Sequence, residues 1–323
     1  MTPGKTIFSN TKTYRTLAIA LVYMVLIGIF MLTAPRAFLD SKIYLAFLST
    51  VPFSLIMALG LTFVIIAGEI DLSFPSTMAM SGFVFVFLYT NVKSSILALI
   101  CSLAVGAAIG LINGLIVAKI KIPSIIVTLA TQFVWAGLAV ILSGGLQKAI
   151  PSARGTLFYN VLVGRALWQI PAQAFWAIGL AILLAFILNR HRFGEHVMFV
   201  GDNRATAKML GVNVDRILMA VFTLNGVLAS FSSVLLALEY ITWWPTQGPG
   251  YLLITIAAVF IGGTSIYGGE GTILGTVIGA FIVGSITAGV VASGAAGFWT
   301  QLIVGLVMLA AVLLNTLIKG KQT

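Results

Sequence analysis

Long apolar runs follow one another along almost the whole chain, and only 8% of its 323 residues are charged. Soluble globular domains carry about 25% charged residues, so this chain lacks the charge needed to cover a water-soluble surface. Lipid must therefore be the solvent for much of it. Because no soluble block separates the runs, the sequence predicts one membrane domain over residues 1–323.

The lengths of these runs predict an all-α, polytopic membrane protein. Lipid cannot satisfy exposed backbone groups, so each crossing needs a helix of roughly 20 apolar residues. We expect about ten spans. The third and eighth are short and bounded by glycine or proline, a pattern typical of broken or re-entrant segments. The predicted bounds are 17–34, 43–67, 74–90, 94–118, 124–142, 172–189, 216–239, 250–267, 272–292 and 298–317.

The distribution of basic residues predicts the orientation. If the N-terminus is cytoplasmic and the spans alternate, twelve of the 18 lysines and arginines fall on the cytoplasmic side and six on the outer side. This is the asymmetry of the positive-inside rule. We expect an inner-membrane protein of bacteria with both termini in the cytoplasm. The net charge of +10 then reflects topology and lipid headgroups rather than nucleic-acid binding.

Two long loops flank the sixth predicted span. The outer loop covers residues 143–171, and the cytoplasmic loop covers residues 190–215 and holds an unusual share of the charge. We call the second one the coupling loop. On physical grounds alone it is either a partner-binding element or a solvated connector.

A short surface helix is predicted inside the coupling loop. Asn203–Leu210 contains good helix formers, with Asp202 or Asn203 as the N-cap and Gly211 as the stop. A membrane protein that projects such a helix into the cytoplasm usually offers it to a partner. The apolar side chains expected to be available for contact are Val200, Met209 and Leu210.

Motifs for catalysis or metal binding are not found in the sequence. The glycine-rich stretch Gly262–Gly271 has no lysine and cannot act as a phosphate-binding loop of the Gly-x-x-x-x-Gly-Lys-Ser/Thr type. His191 and His196 are five residues apart, whereas a zinc-protease helix needs four. Cys101 is the single cysteine. We expect no enzyme activity, no metal site and no cofactor within this chain.

Four polar residues near apolar runs are candidates for a substrate pathway: Glu69, Asp71, Asn113 and Gln132. An ionised group at membrane depth should face a cavity, a partner or an interface. For Asp71, capping of the next helix by Asp71 or Ser73 is the favoured interpretation. For Glu69, a pathway role and a structural role are equally open. The amides of Asn113 and Gln132 are more typical of bonds between helices.

Four stretches of sequence resemble the permease subunits of ribose-type ABC importers. Gly68-Glu69-Ile70-Asp71-Leu72-Ser73 is similar to the family's Gly-Gly-Ile-Asp-Leu-Ser. The coupling loop has the family's Phe-Gly and Gly-x-Asn pattern followed by alanine and Gly-Val. The other two stretches are Asn113–Leu129 and the glycine-rich Ile256–Thr276. Together the four span about 220 residues in the expected order.

The resemblance implies a transport subunit that works in an assembly. Such permeases pair as homo- or heterodimers, receive a monosaccharide or related small polar solute from a binding protein outside, and bind cytoplasmic ATPase subunits that hold ATP and magnesium. The alternative is a self-sufficient secondary transporter or channel, for which Glu69 would be the ion-coupling group. By resemblance, the residues that contact the ATPase are Phe193, Gly194, Gly201, Asp202, Asn203, Ala205, Ala207, Lys208 and Gly211.

The chain also departs from the family pattern. Glu69 stands where the family usually has a second glycine, Phe74-Pro75 replaces Val-Gly, and Thr206 replaces one of two adjacent alanines. The first two changes fall in a region that we expect to face the solute. They therefore bear on the identity of the substrate more than on the fold.

Overall fold

A computed structural model describes the backbone of residues 4–294 and 299–320 and the side chains of residues 17–167, 169–294 and 299–313. This part of the chain folds almost entirely into helices, as predicted for an all-α membrane protein. The long helices are α1 (Gly4–Thr33), α3 (Ser41–Ile66), α4 (Phe74–Asn91), α5 (Ser95–Leu115), α6 (Ser124–Ser143), α8 (Ala172–Arg190), α11 (Val214–Tyr240), α13 (Ile273–Ala292) and α14 (Trp299–Gly320). The shorter helices are α2 (Pro35–Phe38), α7 (Leu157–Leu162), α9 (Arg192–Asp202), α10 (Arg204–Met209) and α12 (Leu252–Ile261).

The predicted number of ten spans is not confirmed. Six described helices are long and apolar enough to cross a membrane, and three further apolar segments are shorter. Helix α4, the third predicted span, belongs to neither group. Helix α12 ends at Ile261 instead of near residue 267, because the chain turns at Gly262 and Gly263, the latter with a φ of 81°. The tenth predicted span began at residue 298, which lies outside the described residues.

Several spans begin at a capping side chain. Asp40, Ser94, Asn213 and Thr272 each accept a hydrogen bond from a backbone amide in the first turn of α3, α5, α11 and α13, respectively. Such a bond satisfies one of the four amides that a helix start leaves without a partner. Local sequence therefore fixes where these helices start.

Helices α3 and α11 form the centre of the bundle. Every residue of α3 from Val51 to Ile66 is buried. Glycines on α5 let α11 approach closely, because a Cβ atom at Gly106 or Gly110 would overlap the backbone of Gly226 or Phe222. These glycines are four residues apart and share one helix face.

The four-residue spacing of Gly271, Gly275 and Gly279 predicts a second glycine face that packs against another helix or another subunit. In the structure Gly279 presses against the backbone of Ala258 in α12 and Gly275 against Gly262, the residue after α12, so packing against another helix is confirmed for these two. Gly271 instead faces the side chain of Ile66 at the end of α3.

The loops cluster at the two ends of the bundle. At one end the α3–α4 loop (residues 67–73), the coupling loop and the glycine-rich segment 262–272 contact one another. At the other end the outer loop pairs with the chain after α11. Two antiparallel two-residue pairs form there, between β1 (Lys148–Ala149) and β4 (Thr242–Trp243) and between β2 (Arg165–Ala166) and β3 (Ile170–Pro171).

An ion pair strengthens the outer end. Arg165 of the outer loop bonds Glu239, near the last turn of α11, with 2.6 Å between Nη2 and Oε1. The fully buried Gln173 donates to the same carboxylate at 3.0 Å. The outer loop is thereby tied to the end of α11.

Candidate functional site: the α3–α4 loop and the coupling loop

The α3–α4 loop is a break between two helices that lies inside the protein. Its residues Glu69, Asp71 and Ser73 are buried, and Gly68 adopts a φ of 79° to turn the chain out of α3. Buried polar groups are costly without hydrogen-bond partners. The structure supplies those partners from four other helices.

The first set of partners surrounds Asp71. Its Oδ1 accepts hydrogen bonds from the amide of Ser73 at 2.8 Å and from the hydroxyl of Ser73 at 2.6 Å, and its Oδ2 accepts one from Nδ2 of Asn225 at 2.9 Å. Nδ2 of Asn113 donates to the Ser73 hydroxyl at 2.7 Å. All four side chains are almost completely buried. We call them the Asp71 cluster; it connects the start of α4 with α5 and α11.

The predictions for these residues fare differently. Ser73 occupies the N-cap position of α4, but its side chain makes no capping bond, and Asp71 bonds the amide of Ser73 rather than an amide of the first turn. The predicted capping of the first-turn amides by Asp71 or Ser73 was therefore wrong. The predicted bond between helices is confirmed for Asn113. Asn225 was missed, although an amide inside an apolar span was a usable signal.

The second set of partners lies on one face of α6. The hydroxyl of Ser124 accepts from the amide of Ile70 at 3.1 Å, and that of Thr128 accepts from the amide of Leu72 at 3.0 Å. Oε1 of Gln132 accepts from the amide of Ser76 at 3.2 Å. The sequence interpretation singled out Gln132 alone. The four-residue spacing of the three polar side chains could have revealed the face.

Glu69 points to a different partner. It forms an ion pair with Arg204 of α10, between Oε1 and Nη2. Glu69 is only 8% exposed, whereas the Arg204 side chain is 47% exposed. The structure thus places Glu69 against the coupling loop and apart from the Asp71 cluster. Arg204 was not among the predicted site residues.

The coupling loop is packed tightly onto the end of α3. A Cβ atom at Gly201 would overlap the carbonyl oxygen of Ile66 and lie 2.6 Å from the amide nitrogen of Gly269. That amide donates to the Ile66 carbonyl at 2.8 Å. The rings of Phe193 and Phe63 stack with centroids 6.1 Å apart. Gly194 also lacks space for a side chain, because it lies against the backbone of Leu188.

The coupling loop contains two helices where one was predicted. Asn203 lies between α9 and α10 and caps α10 by accepting from the amide of Thr206 at 3.0 Å, while Gly211 ends the segment with a φ of 80°. The cap and stop were therefore predicted correctly. Helix α9 was missed, since it begins at the charged Arg192 and contains Gly194 and Gly201.

The residues of the coupling loop that were predicted to contact a partner differ in their exposure. Met209 and Leu210 are 80% and 64% exposed, as expected for contact residues, but Val200 is buried and its predicted availability was wrong. Ala207 is buried as well. Of the other predicted contact residues, Asp202, Asn203, Ala205 and Lys208 are exposed.

Among the side chains that the structure describes, no three histidine, cysteine, aspartate or glutamate residues come together as a metal site. The site consists of carboxylates, amides and hydroxyls that bond one another and the backbone. These polar groups hold neighbouring helices together through hydrogen bonds and one ion pair.

Known proteins share this chain's sequence over most of its length. Residues 43–312 match the family described as the permease component of the branched-chain amino acid transport system. The chain is 33% identical to the ribose import permease protein of Escherichia coli (strain K12) over 294 residues, covering 90% of this chain and 91% of that protein.

Two other relatives are similarly close. The L-arabinose ABC transporter permease protein of Azospirillum brasilense is 34% identical and covers 92% of this chain and 86% of its own. The fructose import permease protein of Rhizobium meliloti is 33% identical and covers 94% of this chain and 86% of its own. No solved structure matches the chain. The family match and the near-complete overlap with these relatives establish that the chain belongs to this family of membrane permease components of transport systems.

Proposed function

We propose that this permease subunit forms the path through which an ATP-driven importer takes up a monosaccharide or a related small polar solute. The named relatives are permease proteins for ribose import, fructose import and L-arabinose ABC transport, and a further one, 33% identical, belongs to an autoinducer 2 import system. Their shared chemistry is a small polar solute. This supports the substrate class without selecting one member.

The proposed assembly follows from the family. The chain is one membrane domain of about ten spans with both termini in the cytoplasm, paired with a second permease subunit. ATPase subunits bind ATP and magnesium and carry out the hydrolysis, and a solute-binding protein delivers the solute outside. This chain itself holds no catalytic residue, metal or cofactor in this scheme.

The observation that carries the proposal is the two-sided packing of the coupling loop. Its inner side is fixed to the end of α3 and to segment 262–272 through Gly201, Ile66 and Gly269. Its outer side exposes Met209 and Leu210. An element that exposes two large apolar side chains among polar ones on its free side, and is rigidly seated on its other side, suits a partner whose motion must enter the membrane domain.

The path of that motion runs through the α3–α4 loop. When the ATPase subunits close, the coupling loop moves with them and displaces the end of α3. The Asp71 cluster and the polar face of α6 then pass the displacement to α4 and α11, and access alternates between the two sides. In this scheme Glu69, Asp71, Asn113 and Gln132 shape the path by positioning the helices around it.

Copurification tests the ATPase contact. We expect a P-loop ATPase to copurify with the chain in mild detergent, and to be lost when residues 203–211 are scrambled in a chain that still inserts. Gly201→Ala should reduce the copurified ATPase about tenfold, because the new Cβ displaces the loop from Ile66. Gly179→Ala is the matched control, since nothing lies within 4 Å of that position.

Transport separates the two candidate functions. Proteoliposomes that contain the permease, its ATPase and its binding protein should accumulate labelled sugar only with ATP. A well-folded chain that binds no ATPase and moves solute with an ion gradient alone would establish the secondary-transporter alternative, and Glu69 would then be the group to replace first.

A further inference from the structure

The pairing of Glu69 with Arg204 is not explained by the family resemblance. In the pattern that this chain resembles, glycine usually stands at the position of Glu69. A buried carboxylate at this point carries a desolvation cost that a glycine does not. The structure offsets it with one specific charge on the coupling loop, in a contact between residues 135 positions apart in sequence.

The ion pair lies next to a close backbone contact of the coupling loop. A Cβ atom at Gly268 would lie 2.9 Å from both the carbonyl oxygen of Gly201 and the Cα of Gly68. Glu69 follows Gly68 directly, and its carboxylate bonds Arg204 of α10. The backbone contact fixes α9, and the ion pair adds α10 to the same unit.

Beyond Glu69 the connection continues into the membrane domain. Asp71, two residues further, binds Asn225 of α11 and the residue that precedes α4. The amide of Ile70, between the two carboxylates, is held by Ser124 of α6. A displacement of Arg204 thus reaches three helices through a segment of only three residues.

We propose that the Glu69–Arg204 ion pair is a positioning contact that makes α10 and the α3–α4 loop move together, so that motion of the coupling loop reaches the Asp71 cluster. This inference rests on the proposed function, in which an ATPase moves the coupling loop. In this proposal neither residue binds the solute or ATP. Their role is to transmit displacement.

The unequal burial of the partners predicts unequal effects of their removal. Without Arg204, Glu69 is left as a buried charge with no counter-ion, a strongly unfavourable state. Without Glu69, Arg204 is half exposed and water can solvate it. Arg204→Gln should therefore be more damaging than Glu69→Gln. The double variant should return to the level of Glu69→Gln alone, since the unpaired charge is gone.

The test uses the assembled importer in lipid nanodiscs, with the ratio of solute-stimulated to basal ATPase activity as the readout. Arg204→Gln should lower this ratio at least about fivefold, a typical magnitude for coupling between sites. Arg204→Lys keeps a positively charged partner for Glu69 and should retain most of the wild-type activity ratio. Lys119→Gln is the matched control, because Lys119–Asp215 is another ion pair, between the helical turn after α5 and the first turn of α11, and both partners are more exposed than Glu69.

A purely stabilising role would give a different pattern. The melting temperature would fall in the Glu69 and Arg204 variants while the activity ratio stayed at the wild-type value, and this result would overturn the proposal. Effects of the two single changes that multiply in the double variant would also overturn it, because residues in one contact behave non-additively.

A second measurement keeps this inference separate from the proposed function. In the purified permease alone, Arg204→Gln should raise amide hydrogen exchange of residues 67–73 at least about fivefold, with no change for Lys119→Gln. If the wild type shows no ATPase stimulation, the proposed function fails. The exchange result still shows whether the ion pair with Arg204 holds residues 67–73 in place. Unchanged exchange in Arg204→Gln overturns the inference in either case.

Discussion

At the scale of single residues, the carboxylate of Asp71 is sealed from water and depends on its neighbours. Three donor groups from Ser73 and Asn225 point at its two oxygens. A buried acceptor left without such donors is costly. One side chain therefore links the α3–α4 loop, the start of α4 and the middle of α11.

Asp71→Asn should destabilise the protein by about 2 kcal/mol or more, because one oxygen becomes an NH₂ group that faces donors. The measurement is thermal unfolding in detergent. Asp40→Asn is the control: this exposed carboxylate caps α3 by accepting from Lys42, and asparagine caps a helix about as well. Equal losses of stability in the two variants would contradict the central role of Asp71.

At the scale of elements, α6 differs from the other spans in how it is held. Most of its apolar side chains are exposed, as expected for a helix that faces lipid or a second subunit. Its firmest described attachments to the rest of the bundle are the polar bonds from Ser124, Thr128 and Gln132. In lipid the hydrophobic effect does not drive helices together, so hydrogen bonds between helices act beside close packing to set the position of α6.

Thr128→Val should loosen α6 from the α3–α4 loop, because the amide of Leu72 loses its acceptor at a cost of about 1–3 kcal/mol. Amide exchange at Leu72 should accelerate and the melting temperature should fall. Thr131→Val is the control. It makes the same change of shape elsewhere on α6, at a hydroxyl that donates only to the carbonyl oxygen of Thr128 in its own helix. If both variants behave alike, the polar face of α6 is not what positions the loop.

At the scale of the whole molecule, the loops that the alternation of predicted spans assigns to one side of the membrane do contact one another in the structure. Helix α11 has 27 residues and is about 40 Å long, and its two ends separate the coupling loop from the outer loop. Which end faces the cytoplasm follows from the asymmetry of basic residues and is still a prediction.

Cysteine labelling decides the orientation. In a Cys101→Ser background, Arg154→Cys should react with a membrane-impermeant maleimide added to spheroplasts, in which the outer membrane has been opened and the inner membrane is intact. Arg192→Cys should react only after the inner membrane is opened. Both positions are exposed in the structure. The reverse labelling pattern would place the coupling loop outside and remove the basis for an ATPase partner.

The sequence by itself determined the solvent of the protein, its helical class, most helix positions and the cap and stop of α10. These properties depend on composition and on neighbours a few residues apart, such as Asn203 and Thr206. Hydropathy could not establish the number of spans, because lipid-facing and buried helices are equally apolar.

The tertiary structure alone decided the partners of the buried polar groups. Asp71 and Asn225 are 154 positions apart, and Glu69 and Arg204 are 135 apart. Nothing local selects such pairs, since many arrangements of the helices would bury the same apolar surface. The physical reason for this particular arrangement is that a buried charge is costly without a partner, and only the assembled bundle brings Asn225 to Asp71 and Arg204 to Glu69.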